Sequence, residues 1–471
     1  MIARYKLRGE VTYMTKDMTQ GNPMKLILGF AIPTLLGYLF QQFYNLIDTL
    51  IVGRYLGVGP LAAVGSTGSV NFLVIGFCMG ICVGFSIPVA HKFGAGDYAG
   101  VRKYVANCVW LGVFFSVVMT LAMAFLCRDI LRWMNTPTDI FEDAYAYIYV
   151  IFIGIPTVFL YNILSGIIRA LGDGKTPVIF LVISSVMNVI LDLVFIVNFK
   201  MGVAGAAWAT VISQGFSGLL CLIFMIKKFD ILRISKEEWK PNAHMMGSLC
   251  SMGLPMGLQY SITAIGSVIL QTAVNGLGSV AVASVTAAGK IGGFLACPYD
   301  AMGSTMATYG GQNVGARKLE RIKAGLWDCV KLGAIYSVIA LVIAVLFGAP
   351  LGRLFVEGDD PALVEQIVQN VRLFLIINTA FYFPLALVNI IRFLIQGIGF
   401  PGFAILAGVM EMIARSLVGF LLVPVFGFPA AALGSPVAWI FADIFLIPAF
   451  FHVYKKLRLQ FGDTSAETQS S

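Results

Sequence analysis

The sequence predicts an all-α polytopic membrane protein, with 12 transmembrane helices in two pseudo-symmetric, parallel six-helix bundles around a central cleft. Of its 471 residues, 58% are hydrophobic and 12% are charged, too few charges to cover a water-soluble protein of this length. Apolar stretches of about 20 to 30 residues recur along the chain, each long enough to span a bilayer. In addition, the two halves of the sequence resemble each other.

Gly, Pro, Asn and charged residues separate the apolar stretches. The predicted spans are roughly 25–52, 61–92, 101–127, 142–170, 176–199, 203–227, 244–275, 280–310, 322–348, 362–397, 400–425 and 429–455. Several exceed the length that a bilayer needs, so we expect tilted or bent helices. The first apolar stretch is too long for the core of a signal peptide, so no cleaved signal is expected.

The connections between the spans differ in positive charge. Lys and Arg number 22 on the side that holds both termini and 5 on the other side. Positive charge is enriched on cytoplasmic loops, which predicts that both termini are cytoplasmic and that the protein lies in the cell (inner or plasma) membrane. An even number of membrane-spanning helices likewise requires that both termini lie on the same side of the membrane.

The second half of the sequence repeats motifs of the first at offsets of 221 to 227 residues. Aligned pairs include Gly57 and Gly278, Asn162 and Asn389, and Gly202 and Gly427. Because six is an even number, both copies enter the membrane from the same side, which predicts parallel repeats. The predicted domains are an N-lobe at 1–228, a cytoplasmic linker at 229–243, a C-lobe at 244–459 and a flexible tail at 460–471.

Two acidic residues, Asp48 and Asp192, lie inside apolar helices of the first half. A charge at membrane depth costs ~2.5–3.5 kcal/mol on insertion scales, so it indicates a functional site. Asn188 lies one turn before Asp192, and Thr210 falls at a similar depth, which predicts one pocket. Two buried carboxylates repel each other and can exchange a proton, and their oxygens also suit Na⁺. The alternative is a satisfied polar pair that packs two helices.

Charged residues also occur inside the predicted helices of the second half. They are Lys290, Asp300, Arg392, Glu411, Arg415 and Asp443. Buried charges persist when they are paired, which favours a structural polar network. The competing hypothesis is that Asp300, Glu411 or Asp443 meets a cationic substrate or transmits the coupling signal.

Polar, aromatic and Met side chains elsewhere in the helices are candidates for the wall of a substrate cleft. They are Gln42, Tyr161, Asn162, Met256, Gln259 and Met302. Met and aromatic side chains can repack around different ligands, which suits a site of broad specificity.

Six sequence motifs together resemble the multidrug and toxic compound extrusion (MATE) family. They are Pro33, Asn45–Thr49, Arg169–Gly174, Asn188–Asp192, Gly202–Ala207 and Gly311–Ala316. The resemblance implies that family's fold and efflux of bulky, often cationic organic compounds in exchange for H⁺ or Na⁺. It also implies that Ala206 contributes backbone to the cation site. Residues 244–275 contain no acidic residue, so the chain resembles the DinF-like branch more than the NorM-like branch.

The favoured function is therefore ion-coupled multidrug efflux, and the alternative is a flippase or exporter of a lipid-linked or amphiphilic metabolite. No Ser/His/Asp arrangement or soluble catalytic domain is visible, so we expect neither an enzyme nor a cofactor. Eight cysteines lie mostly in or near apolar segments, which predicts packing rather than disulfides or a metal cluster. The expected partners are small organic substrates and the bilayer rather than nucleic acid, and the expected state is a monomer.

Overall fold

The computed structural model describes residues 17–355 and 360–467, and every regular element in these ranges is helical. The α-helices are α1 (Pro23–Leu56), α2 (Val58–Ser66), α3 (Gly68–Gly94), α4 (Tyr98–Trp133), α5 (Phe141–Ile153), α6 (Ile155–Ala170), α7 (Thr176–Leu193), α8 (Val203–Lys228), α9 (Ala243–Asn275), α10 (Ser279–Gly315), α11 (Leu319–Arg353), α12 (Pro361–Ala380), α13 (Tyr382–Gly397), α14 (Pro401–Leu417), α15 (Val423–Phe426) and α16 (Phe428–Glu467). Five-residue π-helical segments follow α7 and α14, at Val194–Asn198 and Val418–Leu422.

Twelve membrane spans result when bent helices are counted as single spans. Within the described ranges, ten helices are long and apolar enough to cross a membrane. Two bent pairs complete the set, α5 with α6 at 44° and α12 with α13 at 52°. Pro156 and Pro384 stand in the first turn of the second helix of each pair, where proline removes a backbone donor and favours a bend. The predicted all-α membrane fold is confirmed.

The chain divides into two compact units whose boundaries differ from the predicted lobes. The N-unit contains Ile32–Ser261, and the C-unit contains Asn22–Ala31 and the described residues from Ile262 onward. The first half of α9 therefore belongs with the first unit, although the sequence assigned all of it to the C-lobe. Helix packing explains this difference: a Cβ at Gly80 of α3 would lie only 2.7 Å from the Gly257 Cα of α9.

The two units share their main helix pairings, although α2 and α3 of the N-unit correspond to the single helix α10 of the C-unit. In the N-unit α3 packs on α6 and α7 packs on α8; in the C-unit α10 packs on α13 and α14 packs on α16. Two glycine pairs that the sequence aligned share the same backbone conformation. Gly57 and Gly278 have φ of 92° and 94°, and Gly202 and Gly427 have φ of 61° and 63°. Residues other than glycine rarely adopt these angles, so the repeat extends to backbone detail.

The predicted linker at 229–243 contacts helix α4 of the N-unit. In the linker, Arg102 Nε of α4 bonds Glu238 at 2.8 Å, and Trp110 Nε1 donates to the Trp239 carbonyl at 2.9 Å. The linker therefore docks on α4. Helix α16 extends to Glu467, into the segment that the sequence predicted as a flexible tail, whereas 468–471 and the basic positions 4, 6, 8 and 16 lie outside the described residues.

Candidate functional site

A polar cavity lies inside the N-unit, between α1, α3 and the helices α5 to α9. Its volume is about 440 Å³. The lining combines a carboxylate with amide, hydroxyl and aromatic side chains, and neither Lys nor Arg is among the described residues that line it. The cavity therefore carries negative charge without a resident cation from the protein.

The two predicted aspartates meet at this cavity because α1 runs beside α7. A Cβ at Gly37 would lie 2.8 Å from Val178 Cγ2, so the two helices approach closely there. About three turns later, the carboxyl groups of Asp48 and Asp192 lie within hydrogen-bonding reach of each other. Such a bond requires a proton on one of them.

The two carboxyl groups differ in access to the cavity. Asp48 is half-buried and lines the cavity wall, whereas Asp192 is fully buried behind it. Within the described parts of the chain, the Oδ1 atom of each has no hydrogen-bond partner. Each group therefore keeps an oxygen free to accept a proton or a cation.

Asn188 and Thr210 complete the polar group, as the sequence predicted. With its amide nitrogen facing the carboxylate, Asn188 Nδ2 donates to Asp192 Oδ2 at 3.3 Å, and its Oδ1 accepts from the Thr210 backbone N–H at 3.2 Å. The opposite orientation would set the amide oxygen against a carboxylate oxygen. The Thr210 hydroxyl donates to the Ala206 carbonyl at 3.1 Å, so Ala206 joins the group through its backbone.

Two tyrosines next to the acid pair were missed by sequence reasoning. Tyr44 lies within hydrogen-bonding reach of the Thr210 side chain and within electrostatic range of both carboxyl groups. Tyr147 of α5 also lies within range of both. Tyr44 precedes Asp48 by one helical turn, a spacing that the sequence displays. Tyr147 is distant in sequence, and no local pattern points to it.

The donor set fits either candidate ion. The assembled groups are two carboxylates, an amide, a hydroxyl and a backbone carbonyl, and all of them present oxygen. A hard cation prefers oxygen ligands, and by that analogy the set suits Na⁺. A pair of carboxyl groups that shares a proton suits H⁺ equally well.

The predicted cleft residues of the first half agree only in part with the cavity. Tyr161 and Asn162 line it, in the same space as Asp48. Gln42 does not line it, and its neighbour Gln41 does. Gln41 and Asp48 are seven residues apart on one helix face, whereas Gln42 is rotated off that face by about 100°.

The predicted cleft residues of the second half are packing residues in the structure. Met256 is fully buried and its carbonyl packs against Gly80; Gln259 is 4% exposed. Neither is among the described residues that line the cavity, where Tyr260 of α9 lies instead. Met302 is buried in the C-unit, and its sulfur packs near Gly333.

The predicted polar network of the second half exists in the C-unit, although Lys290 does not belong to it. Glu411 forms ion pairs with Arg392 at 2.8 Å and with Arg415 at 3.5 Å, and all three residues are buried. Asp300 and Asp443 both lie within electrostatic range of Arg392. Lys290 is exposed and forms no ion pair with any described residue, so its assignment was wrong.

Comparisons with known proteins place this chain in a family. The family model described as MatE matches residues 33–194 and 255–431. "Probable multidrug resistance protein YpnP" of Bacillus subtilis (strain 168) is 32% identical over 387 residues, covering 81% of this chain and 83% of that protein. "Probable multidrug resistance protein YoeA" of the same organism is 28% identical over 344 residues, covering 72% and 74%. The solved structure of an "outward-facing conformation of a multidrug resistance MATE family transporter of the MOP superfamily" superposes with a TM-score of 0.86 at 23% identity, covering 94% of this chain and 99% of that one.

Proposed function

The chain belongs to the MatE family, and from this premise we propose that it is a secondary antiporter that exports bulky, often cationic organic compounds in exchange for H⁺ or Na⁺. The resemblance read from the motifs is thereby confirmed, while its DinF-like branch stays a prediction. The relatives' names, which refer to multidrug resistance, support the substrate class. The observation that carries the proposal is the pair Asp48 and Asp192, which lies at a polar cavity without a compensating Lys or Arg in its described lining.

Charge balance in the cavity makes the ion and the organic cation compete. When both carboxylates are ionised, the cavity carries two negative charges and favours a bound cation. When the pair is loaded with H⁺ or Na⁺, part of this attraction is lost. Asp48 on the wall meets the ligand, and Asp192 behind it holds the shared proton or ion. Competition for one site, combined with access from alternate sides of the membrane, gives exchange rather than uniport.

The cavity is large enough for both roles. Small-molecule pockets are usually about 300–1,000 Å³, and the volume of about 440 Å³ lies within that range. Tyr161, Asn162 and Gln41 supply an aromatic face and amide groups in the same space as Asp48. We propose that the substrate binds against these side chains, so that its positive charge lies near the acid pair.

The alternative, export of a lipid-linked or amphiphilic metabolite, would be favoured by a basic cleft. The described lining of the N-unit cavity contains neither Lys nor Arg, and Arg392 and Arg415 in the C-unit are both paired with Glu411. These contacts favour a cationic substrate. We further propose that the protein works as a monomer in the cell membrane, with both termini cytoplasmic, and that it needs no cofactor besides the coupling ion.

The proposal is tested with purified protein in liposomes and ethidium as a fluorescent organic cation. A pH gradient alone and a Na⁺ gradient alone are imposed in separate runs. We expect one of the two to drive ethidium movement, and we expect Asp48→Asn and Asp192→Asn to abolish it. The matched control is Asp129→Asn, because Asp129 is a half-exposed aspartate of the same unit that pairs with Arg132 at 3.3 Å. Movement under neither gradient, or full activity of both cavity variants, would contradict the proposal.

A further inference from the structure

The ionic cluster of the C-unit contains more carboxylates than guanidinium groups. Helix α13 contributes Arg392, and α14 contributes Glu411 and Arg415. Asp300 of α10 and Asp443 of α16 join them around Arg392. Glu411 occupies both arginines, one through each carboxylate oxygen. Three carboxylates therefore face two guanidinium groups, and the cluster has one negative charge in excess.

Unpartnered atoms show where this excess charge lies. Asp443 is 7% exposed, and its Oδ1 has no hydrogen-bond partner in the described chain. Arg392 is 9% exposed, and its Nε likewise has none there. Asp300, by contrast, is exposed, and neither of its oxygens is among the buried atoms of the described chain that lack a partner. A buried charge without a partner costs several kcal/mol, and such a carboxylate becomes tolerable when it binds a proton.

The helices that surround Asp443 do not supply another cation to it. Helix α13 presents Arg392, and α14 presents Glu411, which adds repulsion. Arg372 of α12 packs beside Gly348 of α11 and is exposed. Lys290 of α10 is exposed and lies ten residues, or about 15 Å along the helix, before Asp300. Within the described residues, Asp443 thus depends on the one guanidinium that Glu411 already engages.

We propose that Asp443 is a second proton-exchange site of this protein, located in the C-unit and separate from the acid pair at Asp48 and Asp192. The carboxylate takes one proton from the aqueous phase and becomes a neutral carboxyl group. The cluster then holds two guanidinium groups and two carboxylates, so its charges balance. When the proton leaves, the Asp443 carboxylate competes with Glu411 for Arg392.

This exchange links protonation to the packing of three helices. The Arg392–Glu411 ion pair joins α13 to α14, and Asp443 approaches it from α16. Loss of the proton weakens that ion pair, and uptake of the proton strengthens it. The proposal concerns a different unit from the cavity and does not depend on how the acid pair works in transport.

The test measures protonation directly by infrared difference spectroscopy of the full chain in lipid nanodiscs during a pH titration. The signal is the C=O stretch of protonated carboxyl groups. We expect Asp443→Asn to remove about one titrating carboxyl group per chain from this signal. The double variant Asp48→Asn/Asp192→Asn should keep that component. Asp328→Asn, which alters a C-unit carboxylate paired with Lys331 at 3.6 Å, is the matched control and should keep the component that Asp443→Asn removes.

A second variant protects the test against a folding failure. Asp443→Glu keeps a carboxyl group in place, and we expect the titrating band to persist at a shifted frequency. An unchanged signal in folded Asp443→Asn, or an unshifted band in Asp443→Glu, would overturn the proposal. The spectroscopic measurement does not require transport. Its result therefore tests the Asp443 proposal even if the antiporter proposal fails in liposomes.

Discussion

The N-unit and the C-unit both bury carboxylates among apolar helices, and they stabilise them in opposite ways. In the C-unit, Glu411 is held by two guanidinium groups, at 2.8 Å and 3.5 Å. In the N-unit, the carboxyl groups of Asp48 and Asp192 lie next to each other. Their other neighbours are the amide of Asn188 and hydroxyl groups, none of which carries a positive charge. A carboxylate with protein cations around it is neutralised permanently, whereas an acid pair must obtain its positive charge from an ion or a ligand. This difference favours the acid pair of the N-unit as the coupling site of the proposed antiporter, and in the C-unit it separates Glu411, which two arginines hold, from Asp443, whose Oδ1 has no partner among the described residues.

The repeat shows how one scaffold produced both arrangements. The π-helical segments begin at Val194 and Val418, and the aligned glycines that follow them are Gly202 and Gly427. These two alignments place Asp192 opposite Ser416 or Leu417, neither of which is acidic. The equivalent helix of the C-unit instead carries Glu411 and Arg415 earlier in its course, and these two residues pair with each other.

The largest effect is expected from Glu411→Gln. This change removes the ion-pair partner of Arg392 and leaves the buried Arg415 without a paired carboxylate among the described residues, although Asp443 stays within range of Arg392; the free energy of unfolding should fall by about 3–5 kcal/mol. Denaturation of the purified protein in detergent measures the loss. Glu365→Gln is the matched control, because Glu365 pairs with Arg353 at 2.9 Å where both side chains are about half exposed, and there the loss should be below about 1 kcal/mol. If both variants lose the same free energy of unfolding, the arginines do not stabilise Glu411 more than an exposed ion pair does, and the contrast with the acid pair of the N-unit fails.

A smaller effect is expected from Tyr44→Phe in the N-unit. The variant removes the hydroxyl that lies within hydrogen-bonding reach of Thr210 beside the acid pair. A net hydrogen bond is worth about 0.5–1.5 kcal/mol, so ethidium efflux should fall by roughly 2- to 10-fold. Tyr55→Phe, at a position 52% exposed near the end of α1, should leave the efflux rate unchanged. If both variants transport at the wild-type rate, Tyr44 does not position the acid pair.

The smallest change is expected in the stability of Asp192→Asn. The variant removes one of two adjacent carboxylates and keeps an amide oxygen in its place. Its free energy of unfolding should stay the same or rise by up to about 1 kcal/mol, because replacing buried charge by a neutral group is often neutral or stabilising. The denaturation experiment for Glu411→Gln gives the comparison. A loss of similar size to that of Glu411→Gln would support the alternative in which the pair serves to pack α1 against α7.

Sequence reasoning located the acid pair because its signal is local. A carboxylate is conspicuous in an apolar helix, and Asn188 precedes Asp192 by one turn on the same face. Tyr147 carried no such signal, since it reaches the site from another helix. The sequence predicted Gln42 in the cleft, whereas Gln41 lines the cavity. Which side of α1 faces the cavity depends on the helices that pack against α1, and the sequence of α1 alone does not show this.

The second half shows the same limit for ionic partners. The pairing of Glu411 with Arg415 follows from their spacing of four residues, which the sequence displays. The shorter ion pair joins Glu411 to Arg392, which lies on a different helix. The sequence identified both residues as buried charges, but it could not show that they contact each other. Lys290 was grouped with them by depth alone, yet its side chain is exposed.

By itself the sequence determined the membrane-spanning helices, the internal repeat and the positions of the buried charges, because apolar length, turn glycines and charge are properties of short segments. The tertiary structure decided which compact unit each half of α9 joins, which side chains share a cavity with Asp48, and which carboxylate the arginines neutralise. Those outcomes depend on which faces of distant helices meet. A rotation of one residue is invisible in hydropathy, yet it decides that Gln41 rather than Gln42 lines the cavity with Asp48.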